Sequence, residues 1–347
     1  MTLARNGTRK LPGGMVIPLL AWYNEEKRDL PWRRDPTPYH VWLSEIMLQQ
    51  TRVAAVMDYY RRFLAVLPTV ADLAVCDEEA LMKLWQGLGY YSRARNLQKA
   101  AKIIMANYGG TFPADHSAIR ALPGVGDYTA GAISSIAFGL PYAAVDGNVL
   151  RVVTRLTADD RDIAEPATKR SVTEALETVI PLKTPGDFNQ ALMELGATVC
   201  LPNGMPLCDR CPVRDFCEAY RRDLTASIPV KAPKKARKLE ERDVYLIFFG
   251  KKAALRQRPG KGLLAGLWEY PNEPSPSVAP VPGRVDFALT AKHIFTHIEW
   301  HMTAYTVEAE SGALPEGWVW ADQRELAEKY SVPSAFQGFA HIVEQHL

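Results

Sequence analysis

Two carboxylates and four cysteines are the side chains of this sequence whose settings could support chemistry. Asp146 lies in Val145-Asp146-Gly147-Asn148-Val149, an apolar and glycine setting downstream of the turn Leu122-Pro123-Gly124-Val125-Gly126. Glycine alone takes positive φ at little cost, so Gly124 and Gly126 mark a tight turn. A helix follows, with Asp127 or Thr129 placed to cap it. The small residues Ala130, Gly131, Ala132 and Ser134 at its start admit close approach by a backbone or a ligand. Outward-facing N–H groups at a helix N-terminus form an anion site, and a DNA phosphate suits it. A carboxylate beside such a hairpin would repel the DNA backbone, which is odd for a pure binder. It makes sense if the reaction generates positive charge. Taken singly, the glycine turn is an ordinary helix start and the aspartate an ordinary cap; together they point to chemistry.

Glu45 sits among Trp42, Ile46 and Leu48 in Ser44-Glu45-Ile46-Met47-Leu48-Gln49-Gln50-Thr51. On the residues alone it reads as a helix-surface glutamate, and Gln49-Gln50-Thr51 as a solvated face. The cysteines follow C-x7-C-x2-C-x5-C: Cys200, Cys208, Cys211 and Cys217, interleaved with Pro202, Gly204 and Pro206. Four thiols so packed in a chain this long are a metal loop rather than a disulfide framework. Zinc and an iron–sulfur cluster both use four thiolates, and the single C-x2-C pair is one fewer than a zinc ribbon shows. Cys76, in an apolar helical pattern, reads as a packed residue.

The 347 residues suffice for two domains. Lysine and arginine number 41 against 39 acids, a net charge of +2, so any nucleic-acid surface must come from local clustering. No apolar run is long enough to span a membrane, and the polar, basic Met1–Lys10 lacks a signal core. An intracellular, cytoplasmic protein is expected. Helical patterns cover Val16 to Lys27, Tyr39 to Ala65, Glu78 to Leu84, Ser92 to Tyr108, Thr168 to Ile180 and Asp187 to Val199. The first domain is therefore all-α. Gln86-Gly87-Leu88-Gly89-Tyr90-Tyr91 places aromatics on glycine hinges, which suits a wedge in a base stack. Residues 226–241 form a basic, proline-punctuated linker expected to be extended. Beyond it the period becomes two: Val244 to Phe249, Ala253 to Arg258 and Trp300 to Glu308 are strands, with helices over Arg324 to Lys329 and Ser334 to Gln345. This second domain is α+β.

These motifs carry a resemblance. Leu122 to Arg151 resembles the helix-hairpin-helix element of endonuclease III-type DNA glycosylases. Trp32-Arg33 through Cys217 is similar to the adenine DNA glycosylases of the MutY family. The shared signatures are PWR, SEIMLQQTRV, QGLGYYSRARNL, LPGVGDYTAGAI, VDGNVLRV, FNQALMELGATVC and the cysteine loop. Arg258 to Pro271 resembles the family's MutT-like, Nudix-fold C-terminal domain. The implied architecture is a catalytic helical domain over 1–225, a six-helix barrel with a cluster subdomain. Its helix-hairpin-helix lies at 118–138 and its cysteine loop at 200–217. The linker then leads to a Nudix-like domain over 242–347.

The resemblance implies removal of adenine from pairs with 8-oxoguanine or guanine in double-stranded DNA, by flipping the nucleotide out. Glu45 would protonate adenine, its apolar neighbours raising its pKa, and Asp146 would stabilise the oxocarbenium ion, as in glycoside hydrolysis. Asn148 and Tyr128 would position the sugar, the water and Glu45. Gln50 and Tyr90, helped by Leu88, would insert beside the orphaned base. Arg33 and Gln190 would contact the flipped adenine, and Thr51, Gly124 and Gly126 would contact DNA. The family's cluster is [4Fe–4S], although it has six residues between the first two cysteines where this chain has seven. Phe295-Thr296-His297 takes the place of the family's Phe-Ser-His reader of 8-oxoguanine; on the residues alone it is a packed turn. After Tyr270 the chain runs PNEPSPSVAPVPG without the clustered glutamates of a Nudix hydrolase, so pyrophosphatase chemistry is not expected. The helix of the hairpin lacks the Schiff-base lysine of bifunctional relatives, which implies a monofunctional enzyme. The expected assembly is a monomer, bacterial, without membrane partners. A bifunctional endonuclease III-like lyase and a non-catalytic iron–sulfur damage sensor are the alternatives.

Overall fold

A computed structural model describes residues 10–233 and 236–347. Lys234 and Lys235 of the linker, and residues 1–9, lie outside the described residues. The contacts divide the chain into two compact units, Met1–Ala74 with Lys99–Pro233, and Val75–Gln98 with Lys234–Leu347. The expected boundaries at 225 and 241 were continuous in sequence. In the structure the segment Val75–Gln98 instead packs with the C-terminal residues.

The helices, in chain order, are α1 (Val16–Glu26), α2 (Pro31–Arg34), α3 (Pro38–Leu48), α4 (Val53–Val66), α5 (Val70–Val75), α6 (Glu78–Trp85), α7 (Ser92–Tyr108), α8 (His116–Arg120), α9 (Asp127–Phe138), α10 (Gly147–Leu156), α11 (Pro166–Glu177), α12 (Pro185–Thr198) and α13 (Glu218–Arg221). The amphipathic pattern from Tyr39 to Ala65 is thus two helices, broken at Gln49-Gln50-Thr51. Gln50 there has φ +59°, a conformation that ends a helix and that glutamine rarely adopts. One core of the first unit gathers Leu19 and Tyr23 of α1, Val149 and Val153 of α10, and Phe188 and Leu192 of α12. Apolar residues at helical spacing on all three faces meet there, which fixes α10 and α12 side by side. Among the described residues no helix is long and apolar enough to cross a membrane.

The second unit is built on one seven-stranded sheet: β1 (Lys238–Phe248), β2 (Ala253–Gln257), β3 (Trp268–Glu269), β4 (Asn272–Pro274), β5 (Gly283–Ile294), β6 (Ile298–Ala309) and β7 (Trp318–Ala321). Its path is β3-β2-β1-β6-β5, with β4 on β1 and β7 on β2. β1 and β6 are parallel, Val244 opposite Ala304, and the other pairs are antiparallel. Successive residues of β1 point to opposite faces. Val244, Leu246 and Phe248 pack on Phe336, Phe339 and Ile342, while Tyr245 and Ile247 join Val281 and Val307 on the other side. Burial on both faces explains the unbroken apolar run of this strand. α14 (Gln323–Glu328) and α15 (Ala340–His346) follow, the latter entered through a 3-10 turn over Ser334–Phe339. The end of the expected linker, from Lys238, is already strand, and β5, whose residues are mostly exposed, had no clear period of two to announce it.

Candidate active site

A cavity of about 750 Å³ in the helical unit is lined by Glu45, Tyr128, Asp146, Asn148, Gln190 and Arg33, among others. These six come from α2, α3, α9, α12 and the start of α10. Glu45 comes from the third turn of α3, where every residue from Val41 to Met47 is buried. It is therefore no surface glutamate: it is 6% exposed. Burial pushes its carboxyl from the ordinary 4.5 up to about 7, the Tyr128 hydrogen bond pulls it back, the charge of Asp146 raises it and that of Arg33 lowers it. Tyr128 Oη donates to Glu45 Oε2. Burial first, then the two neighbouring carboxylates, hold the phenol well above its usual pKa, so it remains a donor.

Asp146 is the N-cap of α10, accepting from Val149 N at 2.7 Å and from Asn148 Nδ2 at 2.8 Å. Burial raises its pKa, against the hydrogen bonds from Val149 and Asn148 and the charge of Arg151. The loop that carries it is held by two close backbone approaches. A Cβ on Gly131 of α9 would stand 2.2 Å from Ala143 O, and one on Gly196 of α12 would stand 2.6 Å from Asn148 Cβ. Of the small residues expected to admit a backbone, Gly131 does so, and the backbone is that of the Asp146 loop. Asn189 pins the same loop, accepting from Ala144 N at 3.0 Å and donating to Tyr142 O at 2.8 Å. Asn148 in turn accepts from Arg151 Nη2 at 2.9 Å, and the same guanidinium reaches Gly196 O at 2.7 Å and Cys200 O at 2.8 Å.

The hairpin differs in one detail from expectation. Neither Asp127 nor Thr129 caps α9: its N-cap is Gly126, which has no side chain to offer. Asp127 pairs with Arg120 at 2.5 Å, and Thr129 Oγ1 accepts from Gln49 Nε2 at 3.4 Å. Gly124, φ +78°, makes the tight turn. Arg33 is held by Glu194, and both line the cavity with Gln190. Gln50, Thr51, Gly124 and Gly126 also line it.

Tyr90 and Leu88 lie in the second unit, with Phe295, Thr296 and His297. Tyr90, φ +49°, is 45% exposed, whereas Leu88 is buried and does not present its side chain. Gln50 and Tyr90, the two side chains expected to enter the stack, are thus both non-glycine residues in the left-handed region, a strain that accumulates at functional positions. Phe295-Thr296-His297 is the tip of the β5–β6 hairpin, closed by Phe295 N on Ile298 O at 2.8 Å. The Phe295 ring packs edge-on to Trp300 at 4.9 Å, leaving Thr296 and His297 exposed. Thr296 Oγ1 and Tyr90 Oη are hydrogen-bonded at 2.7 Å. The wedge loop and the hairpin tip therefore meet within one unit.

Cys200, Cys211 and Cys217 press on the α1–α10–α12 core; burial foremost, and then the neighbouring thiols, Cys208 among them, push the thiols of Cys211 and Cys217 up. Arg155 Nη1 donates to Cys200 Sγ at 3.2 Å, and Cys217 Sγ contacts Arg155 O at 3.4 Å. Among the described residues no group of three or more histidine, cysteine or acidic side chains is placed to hold a metal ion. Four thiols gathered on one loop against this core are the donor set of a metal centre. Cys76, at the end of α5, is only half-buried, with Sγ on Asp77 O.

Residues 43–181 match the HhH-GPD superfamily base excision DNA repair protein model, and residues 244–341 the NUDIX domain model. The mouse adenine DNA glycosylase is 37% identical, over 94% of this chain and 77% of its own length. The chain belongs to the adenine DNA glycosylase family. The human adenine DNA glycosylase is also 37% identical, over 89% of this chain and 70% of its own length. A solved structure of endonuclease III trapped as a covalent intermediate with DNA superposes with TM-score 0.52 at 25% identity, over 61% of this chain and 96% of its own. Family membership makes this chain an enzyme, a DNA glycosylase of base excision repair that hydrolyses the N-glycosidic bond, with a helical helix-hairpin-helix domain and a C-terminal Nudix-like domain. Its substrate is DNA.

Sequence reasoning missed several members of this site. Arg28, Arg151, Asn189 and Glu194 were given no role in the sequence, although the last three lie within its family motifs. Lys169 of α11 also lines the cavity, although the hairpin helix itself carries no lysine. Only packing identifies them.

Proposed function

We propose that this chain is a monofunctional glycosylase that removes adenine paired with 8-oxoguanine or guanine. The observation that carries the reading is the pairing of two differently tuned carboxylates in one cavity. Glu45 is buried and holds its proton to about pH 7. Asp146 is an N-cap whose carboxyl burial also raises, against the hydrogen bonds from Val149 and Asn148 and the charge of Arg151, which favour its ionised form. The two carboxyls differ in their partners, a phenol for Glu45 and a backbone N–H with an amide for Asp146, and that difference divides the acid from the ion stabiliser.

Glu45 protonates the adenine ring, making it a neutral leaving group, and the C1′–N9 bond breaks with its electrons on the base. Asp146 stands against the resulting oxocarbenium ion until water adds at C1′, its proton passing to the carboxylate left on Glu45, to give the abasic sugar. Tyr128 fixes the Glu45 carboxyl, and Asn148 orients Asp146 and the sugar. Arg33 and Gln190 contact the flipped base. Gln50, Thr51, Gly124 and Gly126 hold the strand, and Gln50 and Tyr90, followed by Leu88 once the loop opens, fill the gap. Thr296, bonded to Tyr90, reads 8-oxoguanine together with Phe295 and His297. Where bifunctional enzymes place a lysine, this cavity places a phenol that cannot form a Schiff base, so strand cutting is weak.

Cys200, Cys208, Cys211 and Cys217 would hold a [4Fe–4S] cluster. When bound, it supplies iron–thiolate bonds that close the 200–217 loop. The enzyme acts as a monomer. Asp146→Asn should lower single-turnover adenine release at least a thousandfold while leaving affinity for the mispaired duplex within about threefold. Loss of binding in parallel with release would make Asp146 a structural cap and remove the reading.

A further inference from the structure

Glu194, on α12, has a role that the proposed reaction does not require it to have. It is 1% exposed, yet fully charged: burial pushes its carboxyl up, and the guanidinium groups of Arg28 and Arg33 outweigh that and hold it near 2. Its oxygens accept from Arg28 N at 3.1 Å, Arg28 Nε at 2.6 Å, Arg28 Nη2 at 2.9 Å and Arg33 Nη2 at 2.7 Å. Arg33 closes the arrangement by donating to Arg28 O at 3.0 Å, over the ring of Tyr23. One turn earlier on α12 stands Gln190, and both line the cavity that contains Glu45. Four charge-assisted hydrogen bonds from one buried carboxylate hold the two arginines in a fixed geometry.

We propose that Glu194 is a positioning residue for proton donation: it clamps Arg33 against the base-pocket wall and pairs its charge, so that Arg33 does not face Glu45 as an unpaired cation. This rests on the reading of Glu45 as the acid. Glu45 is faced by Arg33 from α2, by Tyr128 and Asp127 from α9, and by Asp146 at the start of α10. Arg28, Arg52, Lys169 and Glu194 complete the charged lining. With two arginines on one glutamate the cluster already carries a net positive charge. Removing the glutamate would double it, and a cation beside a carboxyl favours the carboxylate. Glu45 would then lose its proton at lower pH, and the enzyme its acid.

The test is the pH profile of single-turnover adenine release by the full chain, from pH 5.5 to 9, for the parent, Glu194→Gln, Glu194→Asp and the double variant Glu194→Gln/Arg28→Gln. The parent rate should fall as pH rises through about 7. Glutamine keeps the shape and removes the charge. Its descending limb should move down by on the order of one pH unit, the scale of one added charge in a partly buried pocket with an effective dielectric near 20. Whatever the variant loses at pH 5.5, its deficit relative to the parent should be roughly tenfold larger at pH 8. Aspartate, and the double variant that restores the net charge, should return the limb towards the parent position. A uniform loss at every pH with the limb unmoved would make Glu194 merely structural and overturn the proposal. A limb moved equally in the double variant would overturn it too. A parent whose rate has no descending limb near pH 7 would instead fail the Glu45 reading, before any Glu194 variant is compared, and the proposal with it.

Discussion

If Glu45 is a proton donor kept neutral by burial, it must be a stability liability above neutral pH, and Glu45→Gln exposes that liability. In the unfolded chain this carboxyl ionises near its ordinary 4.5, and in the folded cavity near 7. A carboxyl whose folded pKa is raised stabilises the fold fully only below 4.5, and that contribution is lost as pH rises through 7. The rise corresponds to about 3 kcal/mol between acid and alkaline limits, at 1.36 kcal/mol per pH unit. Of this, about 1 kcal/mol has been lost by pH 5 and nearly all by pH 8. Glutamine has no charge to bury and its amide oxygen can still accept from Tyr128. The variant should therefore gain on the parent by about 2–3 kcal/mol between pH 5 and pH 8, or on the order of 5–10 °C in thermal midpoint for a unit of this size. The assay is the difference in thermal midpoint between variant and parent at the two pH values, which cancels every other titrating group. The same variant should release no adenine. A midpoint difference that does not change with pH would refute the claim that Glu45 is held protonated. A normal turnover would refute its role.

Four further outcomes follow from the same geometry. Gly131→Ala should cost about 1–3 kcal/mol, because its methyl would collide with Ala143 O and push away the loop of Asp146; denaturant melts and the release rate should fall together. Thr296→Val should lose the bond to Tyr90 and reduce the preference for 8-oxoguanine over guanine about five- to tenfold, measured as the ratio of single-turnover rates. Deleting residues after Pro229 should leave some adenine release but weaken that preference more. It also strips Val75–Gln98 of partners, since Lys83 Nζ donates to Leu326 O and Gln86 Nε2 to Val332 O, so proteolysis should cut first there. Borohydride trapping of the abasic product should be weak, and Lys169→Met, which removes the cavity's amine, should abolish what remains.

Much of this enzyme was legible before any fold was drawn, because its chemistry rests on local motifs. The turn at Gly124 and Gly126, the aspartate before Gly147-Asn148 and the cysteine spacing each have a short-range physical signature; in the structure Gly124 makes the left-handed turn and Asp146 caps α10. Glu45 could not be read this way. An i, i+3, i+4 pattern cannot tell a glutamate facing solvent from one facing a cavity when α3 is buried all round. The break between α3 and α4 was hidden for a related reason: Gln50 in the left-handed region carries no glycine to announce it. Glu194, Arg28 and Arg151 act through partners more than forty residues away, a distance over which sequence patterning is silent. In the second unit the buried strand β1 declared itself by its apolar run, whereas β5, at the sheet edge and largely exposed, did not. The assignment of Val75–Gln98 to the second unit likewise depends on hydrogen bonds to Leu326, Tyr330 and Val332 that no periodicity encodes.

The central claim is that this cavity hydrolyses the adenine glycosidic bond without cutting the strand. It is tested most directly by a single-turnover assay on a duplex with one 8-oxoguanine:adenine pair, beside a duplex carrying thymine glycol, each analysed with and without alkali. The account predicts adenine release from the first duplex, strand scission only after alkali, and no reaction on the second. Direct nicking at thymine glycol, or tight binding to both duplexes with no base released, would contradict it.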